Sequence, residues 1–385
     1  LIVMLKSIYI HNFKCFQNFK MDFDELNTSL FLGKNGAGKS ALVQFLNVFR
    51  HIGDGRSQLG DLVDRRDFNI NDPFSPMTLR IEVVIDGFMI SYGLSLDFPE
   101  NFDNARVITE NLIINGTDVI KRKNGSIEYQ EFPVNISTKK ANQKHTTSSF
   151  FSDWHIIALN IINTRQTQQS PFVKFKDWLS KIVILSPVPT QMTGESHKPE
   201  LKPNFYTTNI GNWATGLLRA YPSSYVTILK NLQRVFEDIE EVRNPPTSAT
   251  TNKLSFIFVG NDDKVEINFE QLSNGEKIFI VGALLNASVE LGLISLCVWD
   301  EPDNYISLVE IATFFAKLKR TFYKKTQLIT MSHSPEIINS VGTENIFILY
   351  RNNHIDFTKV RNFVVDKELS KYDNSYLIKN SLVEL

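Results

Sequence analysis

Hydrophobic and polar positions follow different periods along the first 132 residues of the chain. Residues 5–10 and 29–32 form short apolar runs typical of strands, whereas residues 40–52 carry apolar side chains at helical spacing. These three stretches predict a strand–loop–helix unit. From residue 78 to 132, short β runs are separated by Asp-Gly and Asn-Gly pairs, which favour tight hairpins because these residues tolerate positive φ. The pattern there predicts an antiparallel meander.

The pattern changes again in the second half of the chain. Residues 150–184 and 213–243 have mostly helical spacing, with a proline-rich crossing between them. Residues 254–269 predict a hairpin that turns at residues 261–263, and we interpret the two aspartates there as turn residues rather than a metal pair. Helix and strand patterns then alternate to about residue 350. We therefore predict an α/β domain interrupted by a β and helical insertion.

Composition narrows the possible functions. The 385 residues include 41 Lys and Arg against 42 Asp and Glu, a net charge of −1, which argues against a globally basic nucleic-acid binder. The only cysteines, Cys15 and Cys297, lie far apart, which argues against a disulfide framework or a zinc finger. No apolar stretch reaches the ~20 residues that span a bilayer. We expect a cytoplasmic protein without a membrane partner.

Two local groups of basic residues qualify this picture. One predicted helix carries five basic side chains: Lys317, Lys319, Arg320, Lys324 and Lys325. A solvated helix face is the preferred interpretation, and a DNA or partner surface is the alternative. The run of Lys121, Arg122 and Lys123 lies in a predicted hairpin and has the same two interpretations.

A glycine-rich stretch between the first predicted unit's strand and helix satisfies the pattern G-x-x-x-x-G-K-[ST]. Its eight residues are Gly33, Lys34, Asn35, Gly36, Ala37, Gly38, Lys39 and Ser40. Glycines let the backbone wrap round phosphates with its N–H groups pointing inward, and the helix adds its positive N-terminal end. Lys39 would bind the β- and γ-phosphates, and the Ser40 hydroxyl suits Mg²⁺. A coincidental glycine turn is the alternative, but the stretch predicts a nucleotide phosphate site.

Acidic residues follow an apolar run that spans residues 293–299. Asp300 and Glu301 come directly after this predicted strand, where α/β sheets bind ligands. Asp300 can hold Mg²⁺, and Glu301 can orient or deprotonate an attacking water. The alternative is an ordinary acidic helix cap. A second strand-like run ends before His333, which could donate to a γ-phosphate oxygen, although a lone histidine is more often structural.

The sequence Leu272 to Glu276 precedes a long apolar helix over residues 277–291. In the simpler interpretation, Ser273 or Asn274 only caps this helix. In a functional interpretation, the serine hydroxyl and the glycine N–H at the helix N-terminus form a second anion site. Since the glycine-rich loop already holds one nucleotide, this second site would face a different phosphate.

Together these motifs resemble the ABC-type ATPase superfamily and, within it, the branch of the RecF, SMC, Rad50 and OLD-like ATPases. The resemblance covers residues 5–67 and 254 to about 350. The middle meander looks like the small OLD-like, AAA-family ATPases of bacterial anti-phage defence systems. The resemblance implies an α/β fold of the ABC-type P-loop NTPases with a mixed central sheet, an antiparallel β meander and an inserted helical lobe. We expect the regions to be residues 1–149 and 251–385 for the ATPase domain and 150–250 for the lobe.

The resemblance also implies a role for each motif, with ATP and Mg²⁺ as cofactors. Gly33 to Ser40 would be the Walker A loop, and Asp300 and Glu301 the Walker B pair. The remaining expected nucleotide contacts are Ser273, Asn274, Gly275 and Glu276 of the signature motif, Asp303 of the D-loop, the switch histidine His333, and Lys14 in the N-terminal Asn-Phe-Lys segment. Glu301, His333 and Lys39 are the expected catalytic residues. In such proteins the signature motif completes the site of the opposite subunit, which implies a head-to-tail homodimer, or a higher even oligomer, with ATP at its interface.

Departures from the family pattern leave alternatives open. Residues 303–307 replace the commoner Glu-x-x-Leu-His, and both Gln58 and Gln191 stay candidates for the Q-loop. A long coiled coil is absent, and too few residues follow His333 for the nuclease domain of OLD proteins. The first hypothesis is an anti-phage ATPase that controls a separate effector protein. The alternatives are a RecF-like, ATP-dependent DNA clamp and a self-contained P-loop kinase.

Overall fold

The computed structural model describes residues 3–23, 25–100, 102–132, 147–162, 167–261, 263–323, 325–365 and 372–380. The strands in this part of the chain are β1 (Val3–His11), β2 (Phe19–Asp22), β3 (Thr28–Leu32), β4 (Met77–Ile85), β5 (Phe88–Asp97), β6 (Arg106–Ile114), β7 (Thr117–Lys123), β8 (Ser126–Gln130), β9 (Thr147–Phe151), β10 (Ile182–Leu185), β11 (Glu195–Ser196), β12 (Ile239–Arg243), β13 (Asn252–Lys253), β14 (Ser255–Val259), β15 (Lys264–Asn268), β16 (Leu296–Asp300), β17 (Gln327–Met331), β18 (Ile346–Tyr350) and β19 (Lys359–Asn362). The helices are α1 (Lys39–Gly53), α2 (Ala158–Ile161), α3 (Pro171–Ser180), α4 (Ile210–Ala220), α5 (Ser224–Leu232), α6 (Asn274–Glu290), α7 (Leu308–Phe322), α8 (Pro335–Ser340) and α9 (Asn374–Lys379). None of the helices in these ranges combines the length and the apolar character needed to cross a bilayer.

The predicted meander is confirmed as part of an antiparallel sheet. This sheet has eight strands in the order β2-β1-β4-β5-β6-β7-β8-β9. Its tight turns have positive φ at Asp86, Asn115 and Asn124, the positions where Asp-Gly and Asn-Gly pairs predicted them. The N-terminal strand β1 pairs with β4, so it belongs to this sheet rather than to the central one.

A second sheet of six strands forms the centre of the α/β part, in the order β10-β16-β17-β3-β18-β19. Its first five strands are parallel, and β19 pairs antiparallel with β18. Because the carboxyl ends of parallel strands share one edge of a sheet, the segments that follow β3, β16 and β17 meet there. The glycine-rich loop, the acidic pair and His333 lie on those segments.

The two faces of the central sheet are covered by different layers. Side chains alternate between the faces, as Phe31 packs with α1, α3 and the antiparallel sheet, whereas Leu30 and Leu32 pack with α4, α6 and α7. Each face is fully buried, which explains why the parallel strands read as continuous apolar runs. The expected mixed central sheet, antiparallel meander and intervening helices are therefore confirmed.

The helical interpretation of residues 150–184 and 213–243 needs correction in part. Helices α3, α4 and α5 lie in these stretches, but Ile182–Leu185 is a strand of the central sheet and Ile239–Arg243 pairs with β14. All four residues of β10 are buried, and a short run buried on both faces has the same apolar pattern as a core helix segment. The hairpin of residues 254–269 is confirmed by the antiparallel pair β14 and β15, while Asp262 lies outside the described residues. The three-region division of the chain stays a prediction.

The side chain of Gln327 joins the two large sheets. Gln327 starts strand β17, and its Oε1 accepts a hydrogen bond from the Leu5 N–H of β1 (2.5 Å). Its Nε2 donates to the Leu5 carbonyl (3.1 Å) and to the Leu26 carbonyl (3.1 Å). A buried amide thus replaces the missing backbone pairing between the antiparallel sheet and the parallel one.

A buried charged network inside the meander corrects one basic-patch interpretation. Arg122 is 1% exposed and donates to the carbonyls of Asn124 (2.6 Å), Asp153 (2.8 Å) and Ile156. Its Nη1 also lies 3.7 Å from the Glu110 carboxylate. Alternation along β7 turns Arg122 inward while its two lysine neighbours face solvent. Arg122 is therefore a core residue and belongs to no DNA surface.

Candidate functional site

The glycine-rich loop lies between β3 and α1, as its pattern predicted. Helix α1 begins at Lys39 with Gly38 as N-cap, and Gly36 and Gly38 have φ values of 80° and 110°. These values lie in the left-handed region, which favours glycine. A Cβ on Gly33 would lie 2.4 Å from the Leu349 carbonyl oxygen of β18. The close backbone packing requires glycine there, so the loop has the geometry of a phosphate cradle at a helix N-terminus.

The Lys39 ammonium lies inside the curve of this loop. Its Nζ donates to the Gly33 carbonyl (2.5 Å) and to the Lys34 carbonyl (3.4 Å). Partial burial lowers the pKa of Lys39, and the nearby Asp300 and Glu301 carboxylates oppose that change. Asn35 and Gly36 are exposed at the loop apex, while Ala37 is buried. The loop thus brings a cation and free backbone groups to one opening.

Asp300 and Glu301 lie at the carboxyl end of β16, beside Lys39. Burial, and next the charge of Glu301, raise the pKa of Asp300 to about 6, and Lys39 opposes this shift. In the part of the chain that the structure describes, no group of three or more His, Cys, Asp or Glu side chains forms a metal site. A Mg²⁺ ion would therefore take Ser40, exposed in the first turn of α1, and Asp300 as protein ligands, with phosphate and water oxygens completing its shell. The raised pKa of Asp300 fits this role, because a bound cation favours the carboxylate form.

Glu301 is held in an unusual conformation. Its φ of 54° is in the left-handed region, and its N–H donates to the Met331 carbonyl of β17 (2.8 Å). Asn304 Nδ2 donates to the Glu301 carboxylate (2.6 Å). Strained backbone of this kind persists where the surroundings fix it and concentrates at functional sites. Asn304, part of the segment that departs from the family pattern, thus orients the expected general base.

The segment with His333 is tied to the segment with Asp303. Ser332 Oγ donates to the Asp303 carboxylate (2.6 Å) and accepts from the Ser334 N–H (2.9 Å). Burial, and next the charge of Lys39, lower the pKa of His333, while Glu301 and Asp303 oppose the change. The imidazole is therefore neutral near pH 7 and lies within the electrostatic reach of Lys39 and Glu301.

The expected signature residues lie at the N-terminus of α6. Ser273 Oγ accepts from the Glu276 N–H (3.3 Å), and the Glu276 carboxylate accepts from the Ser273 N–H (2.6 Å), which is a capping box. The capping role that the sequence allowed is thus present. A Cβ on Gly275 would lie 2.9 Å from the Tyr305 carbonyl oxygen, so the helix tip packs on the segment after Asp303. Within the described residues, no hydrogen bond or ion pair joins residues 273–276 to the glycine-rich loop of the same chain.

Lys14 lies in a tight loop after β1. Its Nζ forms an ion pair with Asp67 (2.8 Å), its N–H donates to the Asp67 carbonyl (2.7 Å), and its carbonyl accepts from Asn69 (2.6 Å). Lys14 lines a small cleft together with Arg351 and His354. The structure thus places it beside the segment that covers the glycine-rich loop.

The sequence did not point to the contribution of residues 351–358, the loop between β18 and β19. Thr358 Oγ1 donates to the buried Ala37 carbonyl (2.9 Å), and a Cβ on Gly36 would lie 3.1 Å from Arg351 Nη2. Contacts between residues about 320 positions apart leave no mark in local spacing. The sequence offered one usable signal. This loop follows an apolar strand, so it lies at the same edge of the central sheet as the other loops of the site.

The topology bears on the open Q-loop assignment. Gln191 follows β10, whose carboxyl end lies at the same sheet edge as Asp300. Gln58 follows the C-terminal end of α1, a helix that leads away from this edge. The sheet order favours Gln191 over Gln58.

Comparison with known protein families gives one match over the N-terminal part of the chain. Residues 4–177 match the model of a family described as an AAA ATPase domain, AAA_15. No curated protein sequence matches the chain.

Similar solved structures cover almost the whole chain. An SMC head bound to the C-terminal winged-helix domain of ScpA has a TM-score of 0.55 at 14% identity, covering 95% of this chain and 99% of that one. An SMC head with an extended coiled coil, bound to the C-terminal domain of ScpA from Pyrococcus furiosus, has a TM-score of 0.54 at 11% identity, covering 96% and 98%. The chain therefore has the fold of the SMC heads, and the family match supports a nucleotide-binding P-loop ATPase.

Proposed function

We propose that this protein is a Mg²⁺-dependent ATPase in which ATP joins two copies head to tail. One observation carries the proposal: Lys39, Asp300, Glu301 and His333 converge at one edge of the central sheet, whereas, within the described ranges, the α6 tip of the same chain makes no bond to the glycine-rich loop. This arrangement supports a composite site of which one chain supplies one half. The other half would come from the α6 tip of a second copy.

In this proposal each residue has a defined task. Lys39 and the amides of the glycine-rich loop bind the β- and γ-phosphates. Ser40 and Asp300 hold Mg²⁺, which neutralises phosphate charge when bound. Glu301, kept in place by Asn304, orients the attacking water and accepts its proton. The neutral His333 donates a hydrogen bond to the γ-phosphate as charge develops there.

Ser273 and Gly275 would complete the site from the opposite subunit. The α6 tip offers a hydroxyl and free N–H groups at the positive end of a helix of 17 residues, which suits an anion. Among the described residues, the Ser273 hydroxyl accepts one hydrogen bond, from the Glu276 N–H (3.3 Å), and Ser273 is exposed. It therefore remains available as a donor to a γ-phosphate of a partner.

A complementation experiment tests the composite site. Lys39→Ala and Ser273→Arg should each abolish ATP turnover, because each variant damages both sites of a homodimer. An equal mixture should recover about a quarter of the wild-type rate, since half of the dimers are mixed and each mixed dimer has one intact site. The measurement is phosphate release at equal total protein concentration.

Controls separate this outcome from other causes. Thr250→Arg places the same side chain on an exposed turn between β12 and β13 and should leave the rate unchanged. Both single variants should melt as cooperatively as the wild type. A Ser273→Arg protein with full turnover would contradict the composite site and favour the self-contained kinase.

A separate proposal concerns the protein that the ATPase controls. The meander resembles anti-phage ATPases, and the two similar SMC heads are bound to a separate protein, ScpA. We therefore infer a separate effector protein whose activity depends on the dimer. In cells that carry the gene for this protein together with its neighbouring genes, Glu301→Gln should abolish protection against plated phage. Unchanged protection would exclude this role.

The DNA-clamp alternative has less structural support. Of the basic side chains on α7, Lys317 donates to the Asn231 carbonyl (3.1 Å) and Lys319 to the Ser340 carbonyl, and Lys324 lies outside the described residues. These two lysines are partly buried and bond to backbone carbonyls, so they differ from the solvated helix face that the sequence favoured, and they are not free for DNA. Duplex binding that requires ATP would nevertheless establish the RecF-like function.

A further inference from the structure

Residues 351–358, which we name the cover loop, are anchored against the glycine-rich loop. The Thr358 hydroxyl donates to the Ala37 carbonyl (2.9 Å), and the Thr358 N–H donates to the Cys15 carbonyl (2.9 Å). A Cβ on Gly38 would lie 2.7 Å from Thr358 Oγ1. The C-terminal part of the chain is therefore packed directly on the backbone that would hold phosphate.

Arg351 begins the cover loop and lies over the apex of the glycine-rich loop. Its Nη2 is 3.1 Å from where a Cβ on Gly36 would be, and its Nη1 donates to the His354 carbonyl (3.2 Å). Among the described residues, no carboxylate forms an ion pair with Arg351. A guanidinium without an ion-pair partner among the described residues thus lies against the glycine-rich loop.

A cleft of about 220 Å³ separates the cover loop from the N-terminal segment. Lys14, Arg66, Arg351 and His354 are among its lining residues. Lys14 is paired with Asp67 (2.8 Å) and Arg66 with Asp64 (2.9 Å), so carboxylates balance these two cations. Asp356 also lines the cleft, but among the described residues it forms no ion pair with Arg351. Arg351 is therefore the basic group in this cleft best suited to an incoming anion.

We propose that Arg351 binds the phosphate chain of the nucleotide held by its own subunit and that the cover loop closes the nucleotide site. The ligand class is a nucleoside di- or triphosphate. A guanidinium presents parallel N–H donors that match phosphate oxygens, whereas a lysine is only a point charge. This inference rests on the proposed nucleotide site and adds to it a phosphate contact from the C-terminal part of the chain.

Calorimetric titration of the full chain with ADP tests the proposal, because ADP binding needs neither hydrolysis nor a closed dimer. Arg351→Ala should weaken ADP binding by about ten- to hundredfold, the effect of losing hydrogen bonds to a charged group. Arg351→Lys should recover part of the loss, since the positive charge remains. A purely structural role through the His354 carbonyl would show no such graded recovery of affinity.

Two further variants keep the outcomes distinct. Lys359→Ala removes an exposed cation from strand β19 on the same hairpin and should bind ADP like the wild type. Lys39→Ala tests the phosphate site itself. If Lys39→Ala binds ADP normally, the proposed function fails; if it loses ADP while Arg351→Ala stays within about twofold of wild type, the Arg351 contact alone is overturned.

Melting of the ligand-free proteins completes the test. Without ligand, Arg351→Ala should unfold at the wild-type temperature. ADP at about 5 mM, a large excess over its Kd, should raise the melting temperature of Arg351→Ala less than that of the wild type. An equal ADP-induced shift in both proteins would contradict the contact.

Discussion

Two groups of buried acidic side chains in this molecule have opposite surroundings. Glu110, inside the meander, is fully buried, and its oxygens accept from the N–H groups of Ala158 (2.7 Å) and Leu159 (2.8 Å) and from the Tyr92 hydroxyl (2.9 Å). Arg122 lies 3.7 Å away. Burial raises the pKa of Glu110, but each of these donors opposes that shift. Both carboxylate oxygens of Glu110 thus accept hydrogen bonds, as a structural network requires.

Asp300 is buried to a lesser degree and yet has no such partners. In the described part of the chain, its carboxylate accepts no hydrogen bond and forms no ion pair, and Lys39 donates to backbone carbonyls instead. Its immediate neighbour Glu301 is another acid, in a strained conformation. The comparison teaches that burial alone does not identify a functional acid. An acid with all its donors present stabilises the fold, whereas an acid whose charge lacks a partner is positioned for a ligand that brings a positive charge.

The largest expected effect is on ATP hydrolysis, and it concerns Glu301, the acidic neighbour of Asp300. Glu301→Gln should reduce kcat for ATP hydrolysis by about 10²–10⁴, because the amide cannot accept the proton of the attacking water. The melting temperature should stay at the wild-type value, since Glu301 contributes little to packing. Phosphate release and calorimetric melting measure both quantities. Glu128→Gln, an exposed acid in β8, is the matched control and should change neither.

The second effect concerns stability. Arg122→Met should lower the free energy of unfolding by about 3–5 kcal/mol, because it leaves the Glu110 carboxylate buried without its cation. Urea unfolding measures the change, and Lys121→Met, at the exposed neighbouring position, should have little effect. Adding Glu110→Gln to Arg122→Met should restore part of the loss. A stability loss that the second substitution deepens would show that the network is not charge-coupled.

The smallest effect is a pH dependence of the ligand-free protein. The pKa of Asp300 is about 6 when folded, against 3.8 for the ordinary group, so the folded state binds the proton more tightly. Stability should therefore fall as the pH rises from about 4 through 6, and Asp300→Asn should remove this fall. At pH 7 the variant should be more stable by about 1 kcal/mol after solvent screening, although it loses Mg²⁺ affinity. Melting curves at several pH values measure it; parallel curves for both proteins would contradict the assignment.

Local signals in the sequence predicted much of the site. The glycine-rich loop, the capping box at Ser273 and the Asp-Gly and Asn-Gly turns are each specified by a few adjacent residues, and the structure shows a loop, a helix cap and turns at those positions. In each case the backbone conformation depends on residue type, through positive φ or a side-chain cap. Which of these residues contact ATP remains a prediction.

Long-range contacts limit how much of the structure the sequence predicts. Nothing near Arg122 in the sequence distinguishes a core arginine from a basic patch, because its partners Asp153 and Ile156 are more than thirty positions away. Strand β10 has an apolar run that also suits a helix, and only its parallel pairing with β16 decides between them. Arg351 gains its position from a contact with the other end of the chain. Such assignments follow from tertiary packing, which overrides local preference.

The amide of Gln327 has a mechanical consequence. Two of its hydrogen bonds join Leu5 of β1 to strand β17, which leads to His333, and both are fully buried. The third goes to the Leu26 carbonyl, just before β3. Sliding one sheet past the other would break both bonds to Leu5 together and leave their polar atoms without partners in apolar surroundings. We therefore expect the eight-stranded sheet and strand β17 to move together, so that a displacement of β1 also displaces the strand that leads to His333.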